Sequence, residues 1–162
     1  MDEAREIDGH PRSLLDTARN HEGLAYVEML IDGRVPLPPM AALVNFRIVE
    51  ARAGAVSLQA QPDERHYNPL GAVHGGWMAT VLDSATGIAV HTTLPAGIGY
   101  TTVDLNVTYI RPVQAEAGPF TCVATVMSRG SRIATAEGRL EDATGKLFSR
   151  ASATCLILPG WS

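Results

Sequence analysis

The longest apolar segment with few strand-forming residues reads Gly75-Gly76-Trp77-Met78-Ala79-Thr80-Val81-Leu82-Asp83-Ser84-Ala85-Thr86-Gly87-Ile88-Ala89-Val90. Its apolar residues are spread nearly all the way round a helical projection, which is typical of a helix buried on most faces. The glycine pair at its start and Leu94-Pro95 after its end mark the boundaries. The segment therefore predicts one long helix at the centre of the fold.

Strand-like patterns lie on both sides of this helix. Before it, two short runs separated by the turn Ala53-Gly54 predict a hairpin over 43–50 and 55–60. After it, the pattern predicts four strands at about 100–111, 120–128, 132–142 and 146–158. In the first of these four strands, four residues alternate with polar ones and should face the core. They are Val103, Leu105, Val107 and Tyr109. The order predicts an α+β fold in which an antiparallel sheet of about six strands wraps round the central helix.

Residues 1–40 predict a helical extension ahead of a main domain that covers 41–162. Within 12–31 the apolar residues recur at helical spacing with an interruption at Gly23, which predicts one or two short amphipathic helices. A connector to the main domain is marked by three prolines that stop any helix, Pro36, Pro38 and Pro39.

The composition indicates one globular domain without a nucleic-acid partner. The chain has 162 residues, 46% of them hydrophobic and 19% charged. A chain of this length can bury a full core, and the composition is typical of a globular domain. Its net charge of −4 provides no basic field for a phosphate backbone. Cys122 and Cys155 are expected to be core residues in a reducing compartment. A charged N-terminus without an apolar stretch, and no apolar run of about 18 residues, predict a cytoplasmic protein without a membrane span.

Several common active sites are absent from the sequence. Neither a Gly-x-Ser-x-Gly elbow nor a Gly-Lys-Ser/Thr phosphate loop occurs. The five histidines form no cluster at metal-ligand spacing, and Gly97-x-Gly99 is too short for a dinucleotide fingerprint. The sequence therefore predicts that neither a metal nor a bound cofactor takes part.

Residues able to do chemistry are concentrated between Asn68 and Asp83. Gly75 and Gly76 begin the long helix, where backbone N–H groups have no partner inside the helix and lie at the positive end of its dipole. A carbonyl oxygen that gains negative charge would be stabilised there. Asp83 is a lone carboxylate in an apolar segment, and a buried carboxylate without a partner is costly.

Each of these features also has a purely structural explanation. The glycine pair fits a tight turn with close packing, and His74 beside it fits a hydrogen-bonded structural histidine. Asp83 could bond a neighbouring hydroxyl such as Thr80 or Ser84. For the single residues these alternatives stay open.

The order of the features is more specific than any one of them. The motif Asn-Pro-x-Gly-x-Val-His-Gly-Gly over 68–76, followed by Leu82-Asp83, resembles the hotdog-fold acyl-CoA thioesterases of the phenylacetate-degradation (PaaI-like) type. The resemblance covers about 43–158. Later matches are Gly87-x-Ala89, Thr101-Thr102-Val103-Asp104-Leu105-Asn106-Val107, Arg111-Pro112 and Arg129-Gly130-Ser131-Arg132-Ile133-Ala134. The resemblance implies a hotdog fold and hydrolysis of an acyl- or aryl-acyl-CoA to the free acid and CoA.

The resemblance also implies catalytic roles for the matching residues. Asn68 and the backbone N–H of Gly75 would polarise the thioester carbonyl. Asp83 would act as general base on water, or attack directly as nucleophile. Thr102, with Thr101 as the second choice, would orient the water.

Substrate binding is expected around the same motif and at one distant hairpin. The residues concerned are His74, Gly76, Trp77, Leu82, Thr101, Arg129 and Arg132. By the resemblance, the histidine would shape the loop and the two arginines would contact the phosphates of coenzyme A, which enters only as part of the substrate. The tryptophan and the leucine lie close to the motif and would line the acyl pocket.

Helix geometry places the expected base, Asp83, far from the expected oxyanion donor, Gly75. At 1.5 Å per residue, Gly75 and Asp83 lie about 12 Å apart along the helix axis, whereas base, water and carbonyl must follow one another at about 3 Å. One chain cannot easily supply both groups, but two antiparallel helices from two copies could. We expect a homodimer with two shared active sites, which could pair further into a tetramer.

Two other functions fit the same fold. A hotdog hydratase or dehydratase acting on acyl thioesters would use a catalytic histidine with an acid partner, although the sequence around His74 does not match that pattern. A non-catalytic acyl-CoA-binding domain would keep Asn68 and Asp83 for structural reasons alone. Release of a free thiol separates hydrolysis from both.

Overall fold

The computed structural model describes residues 11–160 of the chain. Within this range the α-helices are α1 (Pro11–Asn20), α2 (Gly23–Ile31), α3 (Pro39–Val44) and α4 (Gly75–His91). The strands are β1 (Phe46–Arg52), β2 (Ala55–Ala60), β3 (Ile98–Tyr109), β4 (Phe120–Arg129), β5 (Ile133–Glu141) and β6 (Leu147–Pro159). This is the predicted order of elements, with α3 added.

The six strands form one antiparallel sheet in the spatial order β1-β2-β4-β5-β6-β3. Strands β4, β5 and β6 follow one another as hairpins, whereas β3 pairs with the far side of β6. Helix α4 packs against every strand from β2 to β6, so the sheet wraps round it. The predicted α+β architecture, with about six antiparallel strands round one long helix, is confirmed.

Helix α4 is buried on most of its surface, as its apolar sequence predicts. Its buried residues are Trp77, Met78, Val81, Leu82, Ala85, Thr86, Gly87, Ala89, Val90 and His91. Full burial of one large apolar side chain stabilises a fold by about 1.5–3 kcal/mol. The helix is therefore held firmly in the sheet, and so is the half-buried Asp83 that it carries.

The prediction is wrong at the start of the first strand. Leu43 and Val44 belong to α3, and β1 begins only at Phe46. Pro39 is the first residue of α3, where its missing N–H costs no helical hydrogen bond, so this proline starts a helix instead of preventing one. Asn45 ends the helix in the left-handed conformation, with φ 58° and ψ 59°.

A β-bulge in β3 changes which side chains face the core. The pairing with β6 shifts between Thr102 and Asp104, so Val103 is an additional residue on this strand. The exposed fraction of Val103 is 56%, and that of Tyr109 is 51%, whereas Leu105 and Val107 are half-buried. The predicted alternation is therefore wrong for Val103 and correct for Leu105 and Val107, whereas Tyr109, at the end of the strand, continues the same alternation but is exposed.

The N-terminal helices α1 and α2 are present as predicted and pack onto the same core as the sheet. Their buried members of this core are Leu14, Ala18, Tyr26, Val27 and Leu30. Helix α2 is fastened beyond the end of α4, because the N–H of Gly23 donates to the backbone O of Leu94 at 2.9 Å. A Cβ on Gly23 would lie 1.7 Å from the backbone O of His91, so only glycine fits this contact. The division of the chain into 1–40 and 41–162 stays a prediction, and residues 1–10 lie outside the described residues.

Two smaller expectations concern the cysteines and the membrane. Cys122 and Cys155 are both free and buried, as predicted. Among the helices of residues 11–160, none has the length and hydropathy that crossing a bilayer requires.

Candidate active site

Asp83 lies in a cleft between α4, β3 and the N-terminal helices. The cleft has a volume of about 450 Å³. It is lined by Leu14, Leu15, Ala18, Tyr26, Asp83, Ser84, Gly87, His91, Tyr100, Thr101 and Thr102. The Oδ1 atom of Asp83 is buried and has no hydrogen-bond partner among the described residues. Buried polar atoms in proteins are nearly always hydrogen-bonded, so an unpartnered oxygen at this cleft indicates a place where a water or ligand can bind.

Neighbouring hydroxyls do not satisfy this carboxylate oxygen. Thr80 donates its Oγ1 hydrogen to the backbone O of Gly76 at 2.9 Å. Between residues 11 and 160, Ser84 makes no hydrogen bond to Asp83 either. The explanation of Asp83 as the partner of Thr80 or Ser84 is therefore wrong.

Aromatic rings shape the face of α4 that carries Asp83. Asp83, Gly87 and His91 follow one another at intervals of four residues, so they lie on one face of the helix. A Cβ on Gly87 would lie 2.8 Å from Cε2 of Tyr100, so the absence of a side chain makes room for this ring. The His91 ring centroid lies 5.5 Å from those of both Tyr26 and Tyr100. These rings close the cleft toward the C-terminal end of α4.

Burial keeps the titratable groups beside Asp83 neutral. It lowers the pKa of His91 from 6.5 to about 4, because the imidazolium form loses its hydration. Burial also raises the pKa of Tyr100, with smaller contributions from Cys155 and Asp83. Of the residues that the structure describes, no lysine or arginine lines the cleft. In the part of the chain that the structure describes, no three His, Cys, Asp or Glu side chains gather where they could hold a metal ion.

The structure places both predicted water-orienting threonines beside Asp83. Thr101 and Thr102 line the same cleft. Thr102 is half-buried, and its Oγ1 lies 4.0 Å from the Sγ of Cys155, whereas Thr101 is exposed. One surface thus combines a carboxylate with two hydroxyls, an arrangement that can bind and activate a water molecule.

Asn68 is held by its own loop before the start of α4. Its Oδ1 accepts hydrogen bonds from the backbone N–H of Leu70 at 2.9 Å and of Ala72 at 3.3 Å. Its backbone N–H donates to the backbone O of Ala72 at 2.8 Å. These bonds fix the orientation of the amide and leave Nδ2 as the donor that a ligand can use.

His74 and the two glycines prepare the start of α4. His74 is the N-cap, and its Nδ1 accepts a hydrogen bond from the N–H of Gly76 at 2.8 Å. A Cβ on Gly76 would lie 2.9 Å from this Nδ1, so glycine permits the cap. The N–H of Gly75 has no acceptor within residues 11–160. This N–H is therefore free to bind an oxygen at the positive end of the helix dipole.

Sequence reasoning missed the part that Tyr109 plays at this helix start. A Cβ on Gly75 would lie 3.3 Å from both Cε1 and Cζ of Tyr109, so the ring packs directly against the glycine. The contact joins the end of β3 to the start of α4. Because strand alternation did assign Tyr109 to the inward side, that pattern is the signal that could have found it.

Within one chain the two halves of the predicted machinery stay apart. The cleft is lined by Asp83, Thr101 and Thr102 but by neither Asn68 nor Gly75. The eight residues from Gly75 to Asp83 correspond to about 12 Å along the helix axis. One chain therefore presents an acid at one place and carbonyl-binding donors at another.

Four residues predicted to bind substrate lie elsewhere. Trp77 is buried, and its Nε1 donates to the backbone O of Val44 at 2.8 Å. Leu82 is fully buried in the core. Arg129 ends β4, and Arg132 lies just before β5, both exposed. None of the four lines the Asp83 cleft, and their roles in binding stay predictions.

Comparison with known proteins identifies the class that this fold and site define. The model of the thioesterase superfamily matches residues 70–149. Human acyl-coenzyme A thioesterase 13 is 32% identical over 109 residues, which make up 67% of this chain and 76% of that protein. The chain therefore belongs to the thioesterase superfamily, and the prediction of a thioester hydrolase is confirmed.

Solved structures agree with this assignment. The phenylacetic acid degradation-related protein of Ralstonia eutropha JMP134 is 31% identical, with a TM-score of 0.74 over 81% of this chain and 98% of that chain. The PaaI protein of Escherichia coli shares the fold at 15% identity, with a TM-score of 0.72 over 83% of this chain and 94% of that chain. The predicted likeness to PaaI-like hotdog thioesterases is confirmed.

Proposed function

We propose that this thioesterase hydrolyses acyl-CoA thioesters to a free acid and CoA. The observation that carries the proposal is the buried, unpartnered Oδ1 of Asp83 in an open cleft. Similarity to human acyl-coenzyme A thioesterase 13 supports coenzyme A as the thiol part of the substrate. The proposed reaction needs no metal and no bound cofactor.

In this reaction Asp83 removes a proton from a water molecule that Thr102 orients. The water oxygen attacks the thioester carbonyl carbon, and the carbonyl oxygen gains the negative charge. The N–H of Gly75 and the Nδ2 of Asn68 stabilise this oxyanion, and loss of one such donor typically costs about 10²–10³ in turnover. Collapse of the intermediate breaks the C–S bond, and the proton passes from Asp83 to the leaving thiolate.

The proposed site combines two copies of the chain. In a two-fold dimer with antiparallel α4 helices, Gly75 and Asn68 of one copy can lie beside Asp83 of the other. Strand β3 supports this arrangement because, among residues 11–160, its 12 residues form an edge of the sheet with no strand on the outer side. An unpaired edge of this length favours pairing with another strand, since pairing satisfies its free backbone groups. Association of two such dimers into a tetramer stays a prediction, as does a cytoplasmic location.

The test replaces the carboxylate by its amide. Asp83→Asn should lower turnover by about 10²–10⁴, the range for loss of a general base, because the amide cannot take up the proton. The protein should still fold, since Oδ1 has no hydrogen-bond partner to lose. Release of free CoA thiol measures turnover, and urea unfolding measures stability.

A matched control removes the same charge from an exposed position. Asp32 is exposed at the end of α2 and does not line the cleft, so Asp32→Asn should keep turnover within about twofold. Normal hydrolysis by the Asp83→Asn protein would overturn the assignment of the base. If the unmodified protein releases no thiol from any acyl-CoA, the hydrolytic function itself is rejected.

The hydratase alternative is disfavoured by how His74 is used. A hydratase of this fold needs a histidine that is free to exchange a proton with the substrate. The Nδ1 of His74 already accepts the hydrogen bond that caps α4, so the neutral ring carries its proton on Nε2 and has no free lone pair with which to act as a base. Absorbance of a conjugated double bond, followed beside thiol release, distinguishes the two reactions.

A further inference from the structure

We propose that helix α1 forms the wall of the acyl pocket, so that Leu14, Leu15 and Ala18 set the length of the acyl group that the enzyme accepts. The inference rests on the proposed function, because it takes the cleft beside Asp83 as the place where the acyl chain lies. It assigns a role in substrate selection to the N-terminal extension, which lies ahead of the residues matched by the superfamily model.

The three residues make up the apolar side of α1. Leu14 and Ala18 are four residues apart and lie on one helical face, with Leu15 adjacent. Leu14 and Ala18 are buried and Leu15 is half-buried. All three line the cleft that also contains Asp83. An acyl chain entering beside the carboxylate would therefore replace water against this aliphatic surface.

Helix α1 is held in place by contacts at its C-terminal end. The N–H of Gly97 donates to the backbone O of Arg19 at 2.8 Å, which links α1 to the loop before β3. Leu14 and Ala18 also belong to the main core cluster. A wall fixed in this way resists displacement by a longer ligand, so it can discriminate between chain lengths.

The lining also indicates the chemical class of the acyl group. Among residues 11–160, Asp83 is the only carboxylate of the lining, and no lysine or arginine of this range lines the cleft to pair with an anion. A second negative charge beside Asp83 would be repelled, and its desolvation would be uncompensated. The cleft therefore fits an uncharged acyl chain better than one that ends in a carboxylate.

The experiment measures affinity as a function of chain length. Non-hydrolysable alkyl thioethers of CoA with 2 to 12 carbons are titrated calorimetrically into the full-length protein, and kcat/KM is measured for the matching thioesters. Each buried methylene should strengthen binding by about fourfold until the chain reaches the wall. An ω-carboxylated thioether should bind at least about tenfold more weakly than the methyl-terminated one of equal length.

Two opposite changes at Leu15 test the wall itself. Leu15→Trp should shorten the longest chain that still gains affinity and weaken binding of that chain by at least about tenfold, with the two-carbon ligand unchanged within about twofold. Leu15→Ala should move the limit to longer chains. Leu15 suits both changes because it is only half-buried, so the fold can accommodate either side chain.

Matched substitutions outside the cleft serve as controls. Leu37→Ala truncates a half-buried leucine before α3, and Leu43→Trp enlarges an exposed leucine of α3; neither residue lines the cleft. Both should leave the chain-length profile unchanged. The inference is overturned if Leu15→Trp and Leu15→Ala give the wild-type profile of Kd. Because Kd is measured without turnover, absence of thiol release would reject the proposed function separately.

Discussion

The start and the middle of helix α4 are built in opposite ways. At its start, His74 and Gly76 are exposed, and the donors are arranged by hydrogen bonds between residues that are close in sequence. Farther along, Asp83 lies in a cleft whose walls come from α1, α2, α4 and β3. The helix start is thus a product of local sequence, whereas the surroundings of the acid are a product of tertiary packing.

This difference explains why one chain offers two incomplete sites. The donor residues Gly75 and Asn68 are only half-buried, so in one chain water competes with them for a negative oxygen and screens its charge. Asp83 lies in a cleft with two threonine hydroxyls that can orient a water, but neither the N–H of Gly75 nor the amide of Asn68 lines that cleft. In a dimer, the helix start of each copy would lie at the Asp83 cleft of the other copy, and both sites would then be complete.

The largest expected effect tests whether the start of α4 and Asp83 in its middle act in different chains. Asn68→Ala and Asp83→Asn should each lower turnover by at least about 10². Mixed in equal amounts and allowed to exchange subunits, they should recover about a quarter of wild-type turnover, because half of the dimers are mixed and each has one intact site. The thiol-release assay measures the recovery.

The control for this mixture contains no chain with an intact Asp83. Asp83→Asn is mixed with the double variant Asn68→Ala/Asp83→Asn, and no recovery is expected. Should the first mixture be no more active than the average of its two parents, the acid and the donors work within one chain, and the shared-site proposal is wrong.

A second prediction concerns His91, the buried last residue of α4. His91 has a pKa of about 4 in the folded protein against 6.5 when exposed, so the unfolded chain binds more protons between these values. The free energy of unfolding should therefore fall as the pH drops from about 6.5 to 4, by about 3 kcal/mol from this residue. His91→Phe keeps a ring between Tyr26 and Tyr100 and should lack this part of the decline. Urea unfolding at pH 7, 5.5 and 4 measures it, and equal slopes for both proteins would contradict the prediction.

The same division between local and tertiary determinants separates what the sequence predicts from what it does not. Helix α4 and the hairpins of β4 to β6 are predictable because glycine turns and apolar periodicity act over a few residues. Asn68, Gly75 and Asp83 are identifiable because their motif is contiguous or lies on one helix. These features need no knowledge of distant contacts.

The features that sequence reasoning missed depend on distant contacts or on exceptions to a local rule. Val103 leaves the core because β3 and β6 pair with a bulge, which a strand pattern alone does not reveal. Pro39 is read as a helix breaker although it occupies the one position of α3 where proline is favoured. The contribution of α1 to the cleft depends on packing between segments that are about seventy residues apart in the sequence.

The smallest expected effect concerns His74 at the exposed start of α4. His74→Ala should lower the free energy of unfolding by about 1 kcal/mol, because the N-cap hydrogen bond to Gly76 is lost. His74→Ser should retain most of this stability, since serine is a favourable N-cap. Urea unfolding compares the three proteins. Equal stability of the alanine and serine variants would show that capping is not what His74 contributes.

The attachment of Gly23 to the far end of α4 has a practical consequence. Trimming the gene so that translation starts near residue 41, as an alignment limited to the shared core would suggest, removes Val27 and Leu30 from the interior. The shortened product would expose apolar side chains of the core and leave Asp83 open to bulk solvent. Expression studies should therefore keep α1 and α2, because both helices contribute side chains to the core and to the lining of the Asp83 cleft.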